Sequence, residues 1–443
     1  MKKFILILIV LSLVLTCKNL DNADPAPRNT FIKFYEGRFG ITATAFEIVP
    51  DGFVMVGNII TISDTTTVII KTDKKGNSTQ TFKEFSGGTG KAIKPILNGG
   101  RLTGYVVVGD NVKVNPFADQ VANVIVSSLR MLILDEQLDT IRSYFVRDQS
   151  EDSTRILEDF TGEAIQTTTD GKILVLGTSK RSVANQITAP AEPFIIALKS
   201  DVTVDWQKRY ELNGRTSQNS RSIQYNDKDK KVIWATAITD AAGGFTNSWV
   251  GIPIVDENSV FSNYSVIGQN TQQLFVPTDI QPASDPIFGY GVTGTYSKDT
   301  GGSKGNIFFL RVDVNGTIIS GSDRYFDASE LIQSGTTLTD RDNSILEDEG
   351  QSLTPTNDGG FALAGTFKSD AKNGGGGLDI FLIKVNALGD LVWFKTLGGA
   401  GDETPVAIKE DENGDLLICG TNELDDYATV FLMKTDKNGE LKN

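Results

Sequence analysis

The sequence predicts an all-β chain, folded as a seven-bladed β-propeller whose last blade is completed by the N-terminal strand, residues 30–37. Three observations carry this. An apolar run closed by Gly recurs along the chain. An apolar strand running into an Asp or Asn turn recurs beside it. The strands fall one short of a full set at the C-terminal end, and a spare copy of the missing one stands near the N-terminal end.

The Gly-closed strand reads FVMVG to Gly57, YVVVG to Gly109, ILVLG to Gly177, YGVTG to Gly294, FALAG to Gly365 and LLICG to Gly420. A fourth copy in chain order, KVIWATA at 231–237, keeps the strand and lacks the Gly. The turn-ending strand reads VIIKTD at Asp73, LILD at Asp135, ALKSD at Asp201, PIVD at Asp256, LRVD at Asp313, IKVN at Asn386 and LMKTD at Asp436. Asp or Asn followed closely by Gly is hairpin chemistry, because Gly tolerates positive φ. A further strand follows: TQTFKEF, IRSYFV, VDWQKRY, FSNYSV, SDRYF and LVWFKTL. Lettering the strands a to d within each repeat, strand d is absent after the seventh turn. TFIKFYEG at 30–37 supplies it, with the alternation of LVWFKTLGG and a similar Gly-containing exit. Closure of this kind removes the open edges that invite aggregation.

Residues 378–421, LDIFLIKVNALGDLVWFKTLGGAGDETPVAIKEDENGDLLICGT, resemble the bacterial seven-bladed propeller repeats of SBBP type. The resemblance is good over blades six and seven, fair in blades one, three and five, and poor in blades two and four. It implies the fold and no single activity.

MKKFILILIVLSLVLTC reads as a secretion signal: Lys2 and Lys3 precede an apolar stretch too short for a comfortable membrane span. Its end, LVLTC, resembles a bacterial lipobox, with Thr16 in place of the usual small residue. This implies cleavage before Cys17 and lipidation of its thiol. The expected organisation is a signal peptide over 1–16, a flexible tether over 17–29 and the propeller over 30–443. No Asp directly follows Cys17, and Lys18, Asp21 and Asp24 resemble the surface-export signals of Bacteroidota lipoproteins. The expected location is therefore the outer membrane, with the cell surface favoured over the periplasmic face. Cys419, in the apolar strand LLICG, reads as an inert buried thiol with no disulfide partner.

The chemistry is bounded mainly by what is missing. The 443 residues contain no His, which excludes Ser-His and Cys-His catalysis and His-ligated metal sites. The net charge of −14 opposes nucleic acid and anionic lipid. There is no Asp box of the sialidase kind, and four Trp are too few for a Trp in every blade. DENGDL (411–416), DKNGEL (436–441) and DVNGTI (313–318) read as hairpin turns that lack the distal Glu of a calcium loop. No catalytic residue and no metal site is expected; Ca2+, at the acidic rim described below, is the one cofactor admitted. Trp206, Trp234 and Trp249 lie in or near apolar strands and read as core rather than as a sugar platform.

Loop length points to a functional face. The a–b and c–d turns are tight, apart from 277–286. The b–c and d–a connections are long: 110–123, 147–160, 178–192, 298–305, 327–350 and 368–377. Ile-Leu-Glu-Asp occurs twice within them, at 156–159 and 345–348, each just before strand a. The candidate binding residues form an acidic rim on that face: Asp148, Glu151, Asp152, Arg155, Glu158, Asp159, Asp342, Glu347, Asp348 and Glu349. These features fit a lipid-anchored, non-enzymatic binding module or accessory subunit with a protein partner in the envelope. The alternative reading is capture of extracellular polysaccharide, or carboxylate-based action on it.

Overall fold

The computed structural model describes residues 30–441, apart from 63, 81, 115–124, 147–155, 184–190, 213–214, 241–247, 257–260, 269–272, 298–304, 329–330, 333–347 and 370–376. Strands form seven four-stranded antiparallel sheets, each made of consecutive strands except one. That one joins Asp402–Glu410, Leu416–Leu424 and Tyr427–Thr435 to Phe31–Tyr35, as the strand count predicts. The chain is a seven-bladed β-propeller.

The closing register pairs Phe31 with Lys434 and Tyr35 with Val430. Strand c of blade 7 runs toward the tight c–d turn at Asp436, so the N-terminal strand enters on the tight-turn face and leaves on the opposite one. Tyr35 then reaches across to blade 1, donating its hydroxyl to the Gly76 carbonyl at 2.7 Å.

Every blade is covered on both sides, so its middle strands carry continuous apolar runs rather than alternation. Strand b of blade 1, Gly52–Ile60, is buried from its first residue to Ile59. Among the described residues the hydrophobic core forms seven seams, one between each pair of neighbours, with a smaller cluster of Leu212, Ile238 and Trp249 beside them. Blades 7 and 1 share Phe46, Met55, Cys419 and Leu432; blades 3 and 4 share Leu176, Ile195, Trp234 and Val255. Trp234 and Trp249 are buried in the core.

The hairpin turns use the Asp residues that mark them. Asp313 accepts the N–H groups of Asn315 and Thr317, and Asp436 those of Asn438 and Glu440. At Asp411 and Asp415, where a cation would have to sit, the Lys434 ammonium lies 2.7 and 3.1 Å away. Among the described residues no group of three His, Cys, Asp or Glu side chains could hold a metal ion.

Several connections expected as loops are extended hairpin. Strand b of blade 2 runs through Arg101–Val114, and strands a and b of blade 3 cover Ile156–Thr167 and Ile173–Val183. Residues 156–159 thus stand in a strand. Lengthening a hairpin continues a ladder already formed, which keeps backbone polar groups paired.

Candidate functional site

The innermost strands run from the long-loop face toward the tight-turn face, and six of the seven break register ahead of the residues that line the axis; in blade 2 the shift falls near the end, between Ile96 and Leu97. In blades 1, 3, 5, 6 and 7 one extra residue bulges out: Thr44, Glu163, Thr278, Gln351 and Val406. In blade 2 the strand begins just after Lys91. In blade 4 the bulge spans three residues, ending at Arg221.

The Gly that closes strand b stands opposite this bulge. A Cβ at Gly177 would overlap the Thr161 carbonyl, and one at Gly294 the Val276 carbonyl. Gly365 and Gly420 meet strand a in the same way, Gly109 meets the Thr89 carbonyl just ahead of it, and Gly57 packs against the Ile41 side chain and the Thr42 carbonyl. Blade 4 has Thr236 there, and its wider bulge makes room. Ser220 donates its hydroxyl to that of Thr236 at 2.8 Å.

After each bulge the strands are in step, and a tripeptide repeats around the axis: Ala45-Phe46-Glu47, Ala92-Ile93-Lys94, Ala164-Ile165-Gln166, Ser222-Ile223-Gln224, Asp279-Ile280-Gln281, Ser352-Leu353-Thr354 and Ala407-Ile408-Lys409. The middle apolar residue enters a seam. The outer two share the other side of the strand and line the axis. Small residues, with Asp279 in blade 5, therefore make one ring and polar residues the next, leaving a cavity of about 570 Å³. That volume lies in the range of small-molecule sites.

Charge is distributed unevenly around it. Glu47 sits between two ammoniums, Lys94 at 2.7 Å and Lys409 at 3.1 Å. Burial pushes the Glu47 carboxyl up, but Lys409 and Lys94 outweigh it and hold the group below the usual carboxylate range. Lys91 bridges Asp110 at 2.7 Å and Glu163 at 3.1 Å. Asp279 accepts from the Ser352 hydroxyl at 2.9 Å, the Leu353 N–H at 3.0 Å and the Gln281 amide at 2.9 Å. Ser222 and Gln224 donate to the Ile280 carbonyl. These contacts join one blade to the next, so the cavity carboxylates act as clamps. Arg221 is exposed on the cavity wall, and among the described residues it makes no ion pair or hydrogen bond.

The acidic rim is placed only in part. Asp148, Glu151, Asp152, Arg155, Asp342 and Glu347 lie outside the described residues, as do Cys17 and the side chain of Glu158. Asp159 is half-buried and accepts the Ser127 N–H of blade 2 at 2.8 Å, with burial raising its pKa. Asp348 is only 1% exposed and accepts the Ala328 N–H at 2.7 Å. Glu349 is exposed beside Gln351. Asp159 thus ties to strand c of blade 2, Ile125–Leu134, and Asp348 to the segment at Ala328.

A separate carboxyl pair lies at the seam of blades 6 and 7. Glu403 accepts from the Gly399 N–H at 2.9 Å and the Asn422 amide at 2.7 Å. Burial, with the neighbouring Asp379 carboxyl, pushes Glu403 up to about 7. The two carboxyls are 6% and 1% exposed, away from the axial cavity. Burial also pushes the Cys419 thiol far up, leaving it un-ionised.

No protein-family profile and no curated protein matches the chain. Solved structures match as folds. Hydrazine synthase of Kuenenia stuttgartiensis is similar over 89% of this chain and 96% of its own, at 12% identity and a TM-score of 0.48. A DUF4221 family member from Bacteroides vulgatus is similar over 93% and 99%, at 10% identity and a TM-score of 0.35. The Trypanosoma rangeli sialidase is similar over 90% of this chain and 54% of its own, at 7% identity and a TM-score of 0.41.

Proposed function

We propose that the chain is a lipid-anchored, non-catalytic binding propeller of the outer membrane that holds a small polar ligand in its axial cavity. The observation that carries this is the repeated tripeptide, which sets small residues beside the axis in blade after blade and leaves a polar space where larger side chains would close it. The carboxylates around that space support binding over catalysis. Glu47, Glu163 and Asp279 are each committed to ion pairs or hydrogen bonds between blades, so none stands ready as a free acid–base pair.

The anchor reading adds an orientation. The N-terminal strand enters on the tight-turn face. A tether from a lipidated Cys17 therefore leaves on that face, and the long-loop face points away from the membrane. Ligand enters from that side, where an envelope partner also docks.

Native mass spectrometry tests the binding claim. The mature lipoprotein, in mild detergent, is exposed to fractionated small molecules from the source culture and compared with A407F, which fills the ring of small residues. An adduct on the parent protein that A407F lacks supports the reading. Equal adducts on both, or none on either, overturn it.

A further inference from the structure

We infer that the ligand of the axial cavity is a small hydroxylated organic carboxylate, of the acidic-monosaccharide type; this rests on the binding reading above. The cavity wall carries four cations, Lys91, Lys94, Arg221 and Lys409, against three carboxylates, in a chain whose net charge is −14. Asp110, paired with Lys91, balances the fourth cation, so the axis is near neutral where the outer surface is acidic. Lys94 and Lys409 share a single carboxylate, Glu47, and each ammonium has three N–H donors, so donors remain unspent on that arc. Arg221, on blade 4 across the axis, has its planar donor fork free among the described residues. Arg221 precedes the ring of small residues and Lys94 and Lys409 follow it, so cationic donors stand at two levels of the cavity.

The remainder of the ligand faces neutral polar groups. Gln166 and Gln224 occupy the same ring level on blades 3 and 4. Gln166 both donates and accepts, which suits hydroxyl groups that do the same, while Gln224, its amide N–H groups committed to the Ile280 carbonyl and Gln281, offers its carbonyl. The cavity admits one small molecule, and the acidic exterior repels polyanions. A compact sugar acid satisfies both conditions, whereas inorganic anions leave the amides unused.

Calorimetric titration of the full mature protein tests this with D-glucuronate, D-glucose and acetate. Glucuronate is expected to bind at least tenfold more tightly than either of the others, since a hydrogen bond to a charged group is worth about that factor or more. R221Q and K409M are each expected to weaken glucuronate at least tenfold. Arg221 contacts nothing that holds the fold, so R221Q reports on binding even where K409M disturbs Glu47. Glucose binding as tightly as glucuronate, and lost in A407F, overturns the carboxylate class while the cavity reading stands. Glucuronate binding that survives A407F overturns both. No glucuronate heat, or glucuronate affinity unchanged in R221Q and K409M, overturns the inference alone, because the native-mass comparison decides the cavity independently.

Discussion

Glu403 and Asp379 turn their carboxyls toward one another across the seam of blades 6 and 7, where Gly398 packs directly against Asp379. Burial and the neighbouring Asp379 carboxyl favour the protonated form of Glu403. The folded pKa of Glu403, about 7, lies above its unfolded value near 4.3, so the folded state binds the extra proton. The contribution is full below pH ~4.3 and is lost as pH rises through 7. The urea midpoint is expected to fall between pH 5.5 and 8, and E403Q is expected to flatten that fall. A midpoint equally pH-dependent in E403Q would remove the assignment.

Glu47 has the opposite sign. Its folded pKa is depressed by Lys409 and Lys94, so its contribution is present above the unfolded value and lost as pH falls through the folded one. E47Q leaves two ammoniums facing each other in a partly buried site. The expected cost is about 3 kcal/mol by urea unfolding at pH 7, shrinking below pH 4. A neutral substitution would show that the lysines are not constrained by it.

The strand-b glycines answer to steric contact. G177A drives a methyl into the Thr161 carbonyl, with an expected cost of about 2 kcal/mol or more. T236G in blade 4 should not stabilise, because the bulge there has already widened and the Ser220 bond is lost. Chemical denaturation of both variants checks the pair. A gain in stability from T236G would contradict the account.

Closure by the N-terminal strand is tested at Tyr35. Y35F removes the bond to Gly76 and is expected to cost about 1 kcal/mol. Deleting residues 30–36 exposes the edge of Tyr427–Thr435 and should replace cooperative unfolding with aggregation, followed by light scattering.

The blade count and the closing strand were legible because strands b and c are buried on both sides and so repeat as unbroken apolar runs ending in Gly or Asp. Strand a was less visible. Its signal is only three residues long, small–apolar–polar as in Ala407-Ile408-Lys409, and a preceding bulge of one to three residues in six of the blades scrambles the spacing. A search for that triplet upstream of each Gly-closed strand would have found the axis. The acidic rim drew on exposed-looking loop carboxylates, and burial separates them: Asp348 and Glu349 are neighbours, yet one clamps a loop and the other meets water. Sequence spacing alone does not carry that difference.

The most direct measurement places a thiol in the axial cavity. In A92C, with Cys17 replaced by Ala and Cys419 buried, maleimide labelling reports on one site. The account predicts that A92C labels readily in the folded protein and that labelling abolishes the small-molecule adduct. A thiol that stays unreactive until unfolding, or an adduct that persists after complete labelling, would contradict the claim that this propeller binds along its axis.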